Sequence, residues 1–258
     1  MNNSFLPVAA LFTGRYPGAS RAPYDAFNLS DAVGDRPESV AANRDALAQQ
    51  MGAPVVFMRP EHGATVVWVD AAALQDAHRN EIHRDDIHRD TIAQGDILIT
   101  TTPGIALAAL AADCVPVLMH DAASGAVVAA HVGRRGLMAG AVESALDALA
   151  GLHDGDTQWS HHVSVAIGPA ICGHCYEVPD SLHDQVVARH PAASAITQWG
   201  SPGLDIRSAI GQVLDRWTFA SVVVDERCTY EDAGLFSFRR DQTCGRQAAV
   251  VRCEGPRQ

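Results

Sequence analysis

The chain has no lysine: all 19 residues of its Lys and Arg total are arginine. Schiff-base chemistry, a lysine general base and a Walker-type phosphate loop are therefore excluded, because each needs an ammonium group or its neutral amine. A phosphate or carboxylate has to be held by arginine forks or by backbone N–H groups. No apolar run approaches the ~20 residues that a membrane span requires. The first residues, Met1-Asn2-Asn3-Ser4-Phe5-Leu6-Pro7, lack the basic and apolar regions of a signal peptide. A cytoplasmic protein with no membrane partner is expected. A basic excess is also missing. The formal net charge of -11 at pH 7 disfavours nucleic acid as a partner but leaves room for a small anion in a local arginine pocket. Six cysteines in 258 residues are too few for a disulfide scaffold and read as reduced thiols or ligands.

What is present suffices for a packed core, since 47% of the residues are hydrophobic. Residues 38–51 have the pattern of an amphipathic helix, opened by Pro37 and Glu38 and stopped by Gly52 and Pro54. Strand-like stretches follow at 55–58 and 65–69, with His62-Gly63 in the turn between them. Residues 71–90 are charged and read as a surface excursion; His78, His83 and His88 are spaced so that neighbours fall about 140° apart on a helix, not on one face. A short strand is expected at 97–101. The run at 105–119 is apolar except for Asp113 and Cys114, and a strand at 126–130 and a helix at 137–149 follow, with a loop at 131–136 between them. Further on come a strand at 163–167, helices at 181–190 and 205–217, and strands at 221–224 and 247–251. Strands occur both in succession and separated by helices, which predicts a mixed sheet in one domain.

Three segments look like one divided metal site: Glu61-His62-Gly63-Ala64, Ala112-Asp113-Cys114-Val115-Pro116, and His131-Val132-Gly133-Arg134-Arg135-Gly136. A His/Cys/His set fills three of the four positions of a tetrahedral zinc, and a catalytic zinc keeps the fourth open. Each of the three residues lies in or beside an apolar stretch, where an unpaired polar group costs roughly 1–3 kcal/mol. Coordination gives such a residue a reason to be there; a hydrogen-bonded core histidine or a cysteine packed as a small hydrophobe is the plainer account. Asp113 either orients a ligand or caps the strand end. Gly133 and Gly136 flank Arg134 and Arg135 just before a helix, a setting for phosphate or for a solvated basic turn. Cys172-Gly173-His174-Cys175 has C-x-x-C spacing, but Cys228, Cys244 and Cys253 are isolated in sequence, so a close-packed turn is the expected role. Arg239, Arg240 and Arg246 can close on a substrate anion or pair at the surface.

The motifs Phe12-Thr13-Gly14-Arg15, Asn28-Leu29, Asn43-Arg44, His62-Gly63, Gly95-Asp96, Ala112-Asp113-Cys114-Val115-Pro116, His131-Val132-Gly133, Tyr176-Glu177-Val178 and Phe236-Ser237-Phe238-Arg239-Arg240 occur in this order. Together they resemble the YfiH-like family, known as laccase-domain or polyphenol oxidase-like proteins and regarded as purine nucleoside phosphorylases. The resemblance covers nearly the whole chain. It implies an α+β fold, a single domain over 1–258 with mixed β-sheets and flanking helices. It also implies zinc at His62, Cys114 and His131, phosphorolysis of adenosine, inosine, guanosine and methylthioadenosine, and hydrolytic deamination of adenosine. On this basis Cys114, Asp113 and Asp96 are the expected catalytic residues, and Arg134, Arg135, Arg44 and Arg240 the expected contacts to substrate and phosphate. A monomer or small homo-oligomer is expected. Three alternatives stay open: a hydrolase with Cys114 as nucleophile and His131 as base, a zinc amide hydrolase in peptidoglycan precursor editing, and a non-enzymatic zinc protein associated with cell division. The chain departs from the family pattern at Pro60-Glu61, where Gln-Val is usual, and at Arg134, where Trp is usual. A multicopper oxidase needs many histidines, and only His62 and His131 are suitably placed, so one zinc is expected in preference to copper.

Overall fold

The computed structural model describes residues 5–72 and 92–256. Except for residues 71 and 72, the stretch expected as a surface excursion, with His78, His83 and His88, lies outside the described residues. The first half of the chain forms β1 (Ala10–Phe12), α1 (Pro37–Met51), β2 (Val55–Arg59), β3 (Val66–Trp68), β4 (Ile92–Gln94), β5 (Ile97–Thr100), β6 (Ala106–Ala111), β7 (Val115–Asp121) and β8 (Val127–Val132). The second half forms α2 (Arg134–Ala139), α3 (Ala141–Ala150), β9 (Val163–Ile167), α4 (Asp180–Arg189), β10 (Ser194–Ile196), β11 (Pro202–Leu204), α5 (Ile206–Leu214), β12 (Ser221–Val224), α6 (Phe238–Asp241) and β13 (Gln247–Arg252). The result is the expected single α+β domain. Two mixed sheets carry it, ordered β1-β13-β6-β2-β4 and β12-β9-β7-β8-β5-β3, with β10 and β11 as a small separate pair.

Strand periodicity explains how the sheets stack. Leu107 and Ala109 of β6 meet Leu98, Leu118 and Ala129 of the larger sheet in the core between the two sheets. The alternate residues Ala106, Ala108 and Leu110 turn the other way, toward Leu47 and Met51 of α1. On the far side of the larger sheet, Val117, Met119, Val128 and Ala130 pack beneath Leu146 of α3 and Ile210 of α5. The layers are therefore helix, sheet, sheet, helices. Both sheets are covered on both faces, so their inner strands read as continuous apolar runs without a polar alternation.

The apolar run at 105–119 proves to be two strands, one in each sheet, with Asp113 and Cys114 in the crossing between them. The β2–β3 connection makes the same crossing and carries His62. Both turns use a non-glycine residue in the left-handed region, His62 at φ 61° and Asp113 at φ 93°. Two expected boundaries are corrected. The loop at 131–136 is the end of β8, Gly133 and the start of α2, and the helix at 137–149 is split by Gly140, whose φ of 83° ends α2 and opens α3. Among the described residues no helix is long and apolar enough to cross a membrane.

The N-terminal loop is fastened to α1 through Asn43, which is 2% exposed. Its amide nitrogen donates to Ser20 Oγ and to the carbonyls of Ala26 and Asn28, and its oxygen accepts from Ala19 N–H. Asn43→Ala leaves several of these groups buried without a partner, so urea denaturation is expected to show a loss of about 3 kcal/mol. A loss well below ~1 kcal/mol would show that this loop is held by other contacts.

Candidate metal centre

His62, Cys114 and His131 converge at the end of the sandwich where the chain crosses between sheets. Their ligating atoms all lie within 4.8 Å of one another, and the two imidazoles meet edge to face, with centroids 4.9 Å apart. His131 is buried near the end of β8, Cys114 is half-buried just before β7, and His62 is exposed on its turn.

Asp96 sets this geometry from behind. It is 0% exposed. Its Oδ1 accepts from His62 N–H at 2.9 Å and faces His131 Nδ1 at 3.0 Å, while Oδ2 accepts from Gly63 N–H at 2.7 Å and Glu61 N–H at 3.3 Å. One carboxylate thus fixes both the turn that presents His62 and the ring of His131, leaving His131 Nε2 as the ligand nitrogen. Burial works against the Asp96 charge, but His131 and the N–H groups of Gly63 and His62 hold its carboxyl below the usual carboxylate range. Gly133 supplies clearance: a Cβ there would stand 2.7 Å from Cys114 Sγ and 3.5 Å from His62 Cδ2.

The donors also tune one another. Burial opposes charge on Cys114, yet His131 and His62 bring its thiol down from 9.0 to about 6. Burial likewise disfavours a charged His131, but Cys114 and Asp96 carry it up from 6.5 to about 9. Both shifts favour charge on the pair, and the lowered thiol favours the thiolate form in which a metal takes sulfur. One thiolate and two imidazoles around a common point, with an oriented ring behind them, fit a transition-metal ion.

The three ligands border a cavity of about 480 Å³, a size suited to a small molecule. Four arginines, Arg59, Arg134, Arg239 and Arg246, line it against two aspartates, Asp31 and Asp113. A chain of net charge -11 thus keeps a cationic site. Tyr176 and Phe238 add aromatic surface; the Arg239 guanidinium lies 5.1 Å from the Tyr176 ring centroid and that of Arg246 lies 5.7 Å from the Phe238 centroid. Burial and the nearby Cys114 charge push the Tyr176 phenol up, against the opposing pull of Arg134 and Arg239.

Several expected contacts need correction. Arg135 is exposed and outside the lining, unlike its neighbour Arg134. Arg240 is outside it as well, because its guanidinium donates to the carbonyls of Thr229, Tyr230, Asp232 and Leu235 and pairs with Asp241, bracing a loop. In both cases the adjacent side chains leave the helix about 100° apart, and Arg134 and Arg239 turn toward the cavity while Arg135 and Arg240 do not. Arg44 is buried, donates to the Leu29 carbonyl at 2.8 Å and sits 4.2 Å from the Phe57 ring centroid, which makes it a structural brace outside the lining. Asp113 orients no histidine: its oxygens accept from Thr229 Oγ1–H at 2.7 Å and Arg239 N–H at 2.6 Å. Asp96, expected among the catalytic residues, takes the orienting role instead. Arg59 and the wall formed by Tyr176 and Phe238 were not expected at the site; Tyr176 and Phe238 belong to the ordered motifs, but only the fold brings them to the cavity.

The chain matches the family described as multi-copper polyphenol oxidoreductase laccase over residues 9–254. It is similar to a Streptomyces coelicolor protein named purine nucleoside phosphorylase, 41% identical over 243 residues that cover 93% of either chain. It is similar as well to purine nucleoside phosphorylase YfiH of Escherichia coli, 32% identical over 95% of this chain and 93% of that one. Among solved structures it is similar to a Neisseria meningitidis protein, with a TM-score of 0.79, 31% identity, and coverage of 96% of this chain and 95% of that one.

An amide in place of the Asp96 carboxylate cannot accept hydrogen bonds on both sides, so Asp96→Asn sets an NH2 against the main-chain donors or against His131. Competitive metal titration is expected to show affinity reduced by about 10- to 100-fold at the His62–Cys114–His131 site. Unchanged affinity would show that Asp96 does not position the donors.

Proposed function

The chain belongs to the laccase-domain family of YfiH-like proteins, and on that premise we propose that it is a zinc-dependent purine nucleoside phosphorylase that also deaminates adenosine. The names of its relatives suggest the reaction class. The observation that carries the reading to this chain is the convergence of His62, Cys114 and His131 beside an arginine-lined cavity. The several coppers in the family's description find little support in the donors. Among the described residues, two groups of three or more potential ligands occur, and the second has no histidine. Several coppers, one of them a blue-copper Cys/His set, call for many more imidazoles. A single set of two nitrogens and one sulfur suits zinc.

Zinc held there would supply Lewis-acid polarisation of an oxygen in the substrate or nucleophile. In this reading Arg134 and Arg239 grip phosphate through their planar forks, and Arg59 and Arg246 add positive charge at the same cavity. Tyr176 and Phe238 offer faces for the purine. Phosphorolysis joins a phosphate oxygen to ribose C1′ as the bond from C1′ to the purine nitrogen breaks and positive charge grows on the sugar. The base leaves with a proton, and ribose 1-phosphate remains. In this reading Asp113, at the cavity wall, carries that proton, and Asp96 stays behind His131. Deamination adds water at C6 of adenosine and releases ammonia, giving inosine. Adenosine, inosine, guanosine and methylthioadenosine are the proposed substrates. The proposed location is the cytoplasm, where its free cysteines stay reduced.

One observation favours a second reading: the depressed Cys114 thiol beside a protonated His131 is also the arrangement of a cysteine nucleophile and its base. Chelation separates the two. Activity that disappears on metal removal and returns with zinc supports the metal enzyme, whereas a metal-free chain that turns over and is silenced by iodoacetamide supports the thiol hydrolase.

Arg134→Ala removes a charge-assisted contact worth about 1.5–3 kcal/mol, so the KM for phosphate is expected to rise roughly 10-fold or more, with Arg135→Ala close to wild type. Steady-state kinetics with varied phosphate provides the check. An unchanged phosphate KM in Arg134→Ala contradicts the assignment.

A further inference from the structure

The C-x-x-C pair that stands alone in sequence acquires a third sulfur in space. Cys172 and Cys175 lie beyond β9, and Cys228 lies beyond β12; these strands pair in parallel and stay side by side through a bridge between Ala170 and Cys228. Thr229 N–H donates to Ala170 O at 3.1 Å, which locks the two loops in register. On each loop a tight turn brings the residue three positions on back to its partner: Cys175 N–H donates to Cys172 O at 3.0 Å, and Glu231 N–H to Cys228 O at 3.2 Å. As a result Sγ of Cys172, Cys175 and Cys228 and a carboxylate oxygen of Glu231 all fall within 4.8 Å of one another. Cys172 N–H points at Cys228 Sγ at 3.4 Å, and Cys175 Sγ is 3.4 Å from Glu231 Oε1. Gln198 Nε2 donates to Cys175 Sγ at 3.6 Å. Cys175 and Cys228 are buried beside Ile171, with Tyr176 and Tyr230 packed against them.

We propose that Cys172, Cys175, Cys228 and Glu231 form a second metal site, which takes zinc or a similarly thiophilic divalent ion as a closed structural centre. Two chelating pairs of equal spacing, Cys-x-x-Cys and Cys-x-x-Glu, face each other as they do in two-knuckle zinc sites. Four donors complete a tetrahedron and leave no open position for a substrate. Three thiolates select a soft or borderline ion over magnesium or calcium. N–H donors from Cys172 and Gln198 already point at two of the sulfurs, the kind of support that thiolate ligands use.

The site lies outside the arginine-lined cavity but is wired to it. Tyr176, which lines that cavity, directly follows Cys175. Thr229, next to Cys228, donates to Asp113 Oδ1, and Ile171 N–H donates to the Asp113 carbonyl at 3.0 Å, so both stapled loops meet at the turn that presents Cys114. A metal here would hold the wall of the cavity without entering its chemistry. The proposal stands whether or not the chain is a phosphorylase.

Metal analysis of the full chain, loaded with zinc and freed of excess, tests it. About two zinc ions per chain are expected for wild type, about one for Cys114→Ala and about one for Cys175→Ser. Cobalt-loaded Cys114→Ala should keep an intense thiolate-to-cobalt absorption, because the remaining site contributes three sulfurs. If Cys175→Ser does not fold, Glu231→Ala at an exposed position serves, with release of the second zinc to a chromogenic chelator at least ~10-fold faster than in wild type. Wild type that holds about one zinc, lost entirely in Cys114→Ala, overturns the proposal. A disulfide among Cys172, Cys175 and Cys228 in place of the second zinc overturns it in favour of a redox pair.

Discussion

Asp96 sits fully buried just before β5, and its two oxygens gather the main-chain N–H groups of Glu61, His62 and Gly63 together with the ring of His131. A carboxylate at that depth is tolerable only if such partners surround it, since an uncompensated buried charge costs several kcal/mol. The turn between β2 and β3 must therefore close onto β5, and β8 must deliver His131 to the same point. Those requirements place two of the three candidate metal donors. The third, Cys114, follows from the other crossing between sheets, where the left-handed Asp113 turns the chain from β6 into β7.

Much of the secondary structure was legible because its signals are local. Proline and glycine bracket α1, and β9 and β12 fall at the expected boundaries. The run at 105–119 misled because strands covered on both faces lose the alternation that would separate them. Its one visible break, Asp113-Cys114, was the sheet crossing itself. The metal donors were recognisable as residue types beside apolar strands, and as parts of motifs in a familiar order. Their partner Asp96 carries no spacing signal to either histidine, and its orienting role appears only when β5 and β8 pair.

The arginines mark where sequence reasoning stops. Arg134-Arg135 and Arg239-Arg240 are adjacent pairs, and nothing in a linear pattern tells which member turns inward. The folded chain divides each pair, giving Arg134 and Arg239 to the cavity. Arg240 instead donates to four loop carbonyls. Cys228 is a similar case, far along the chain from Cys172 and brought beside it only because β9 and β12 run in parallel. The absence of lysine has a visible counterpart, since Arg59, Arg134, Arg239 and Arg246, which line the cavity, are planar, always-charged forks. Arg134 puts such a fork where the resemblance leads one to expect a tryptophan, beside the Tyr176 wall.

Product analysis of adenosine incubated with the zinc-loaded chain decides whether the His62–Cys114–His131 site turns over purine nucleosides as proposed. With phosphate, adenine and ribose 1-phosphate are expected; without phosphate, inosine and ammonia, with both reactions lost in Cys114→Ala. Unchanged adenosine in the presence of phosphate and a filled metal site would contradict it, as would product formation that survives Cys114→Ala.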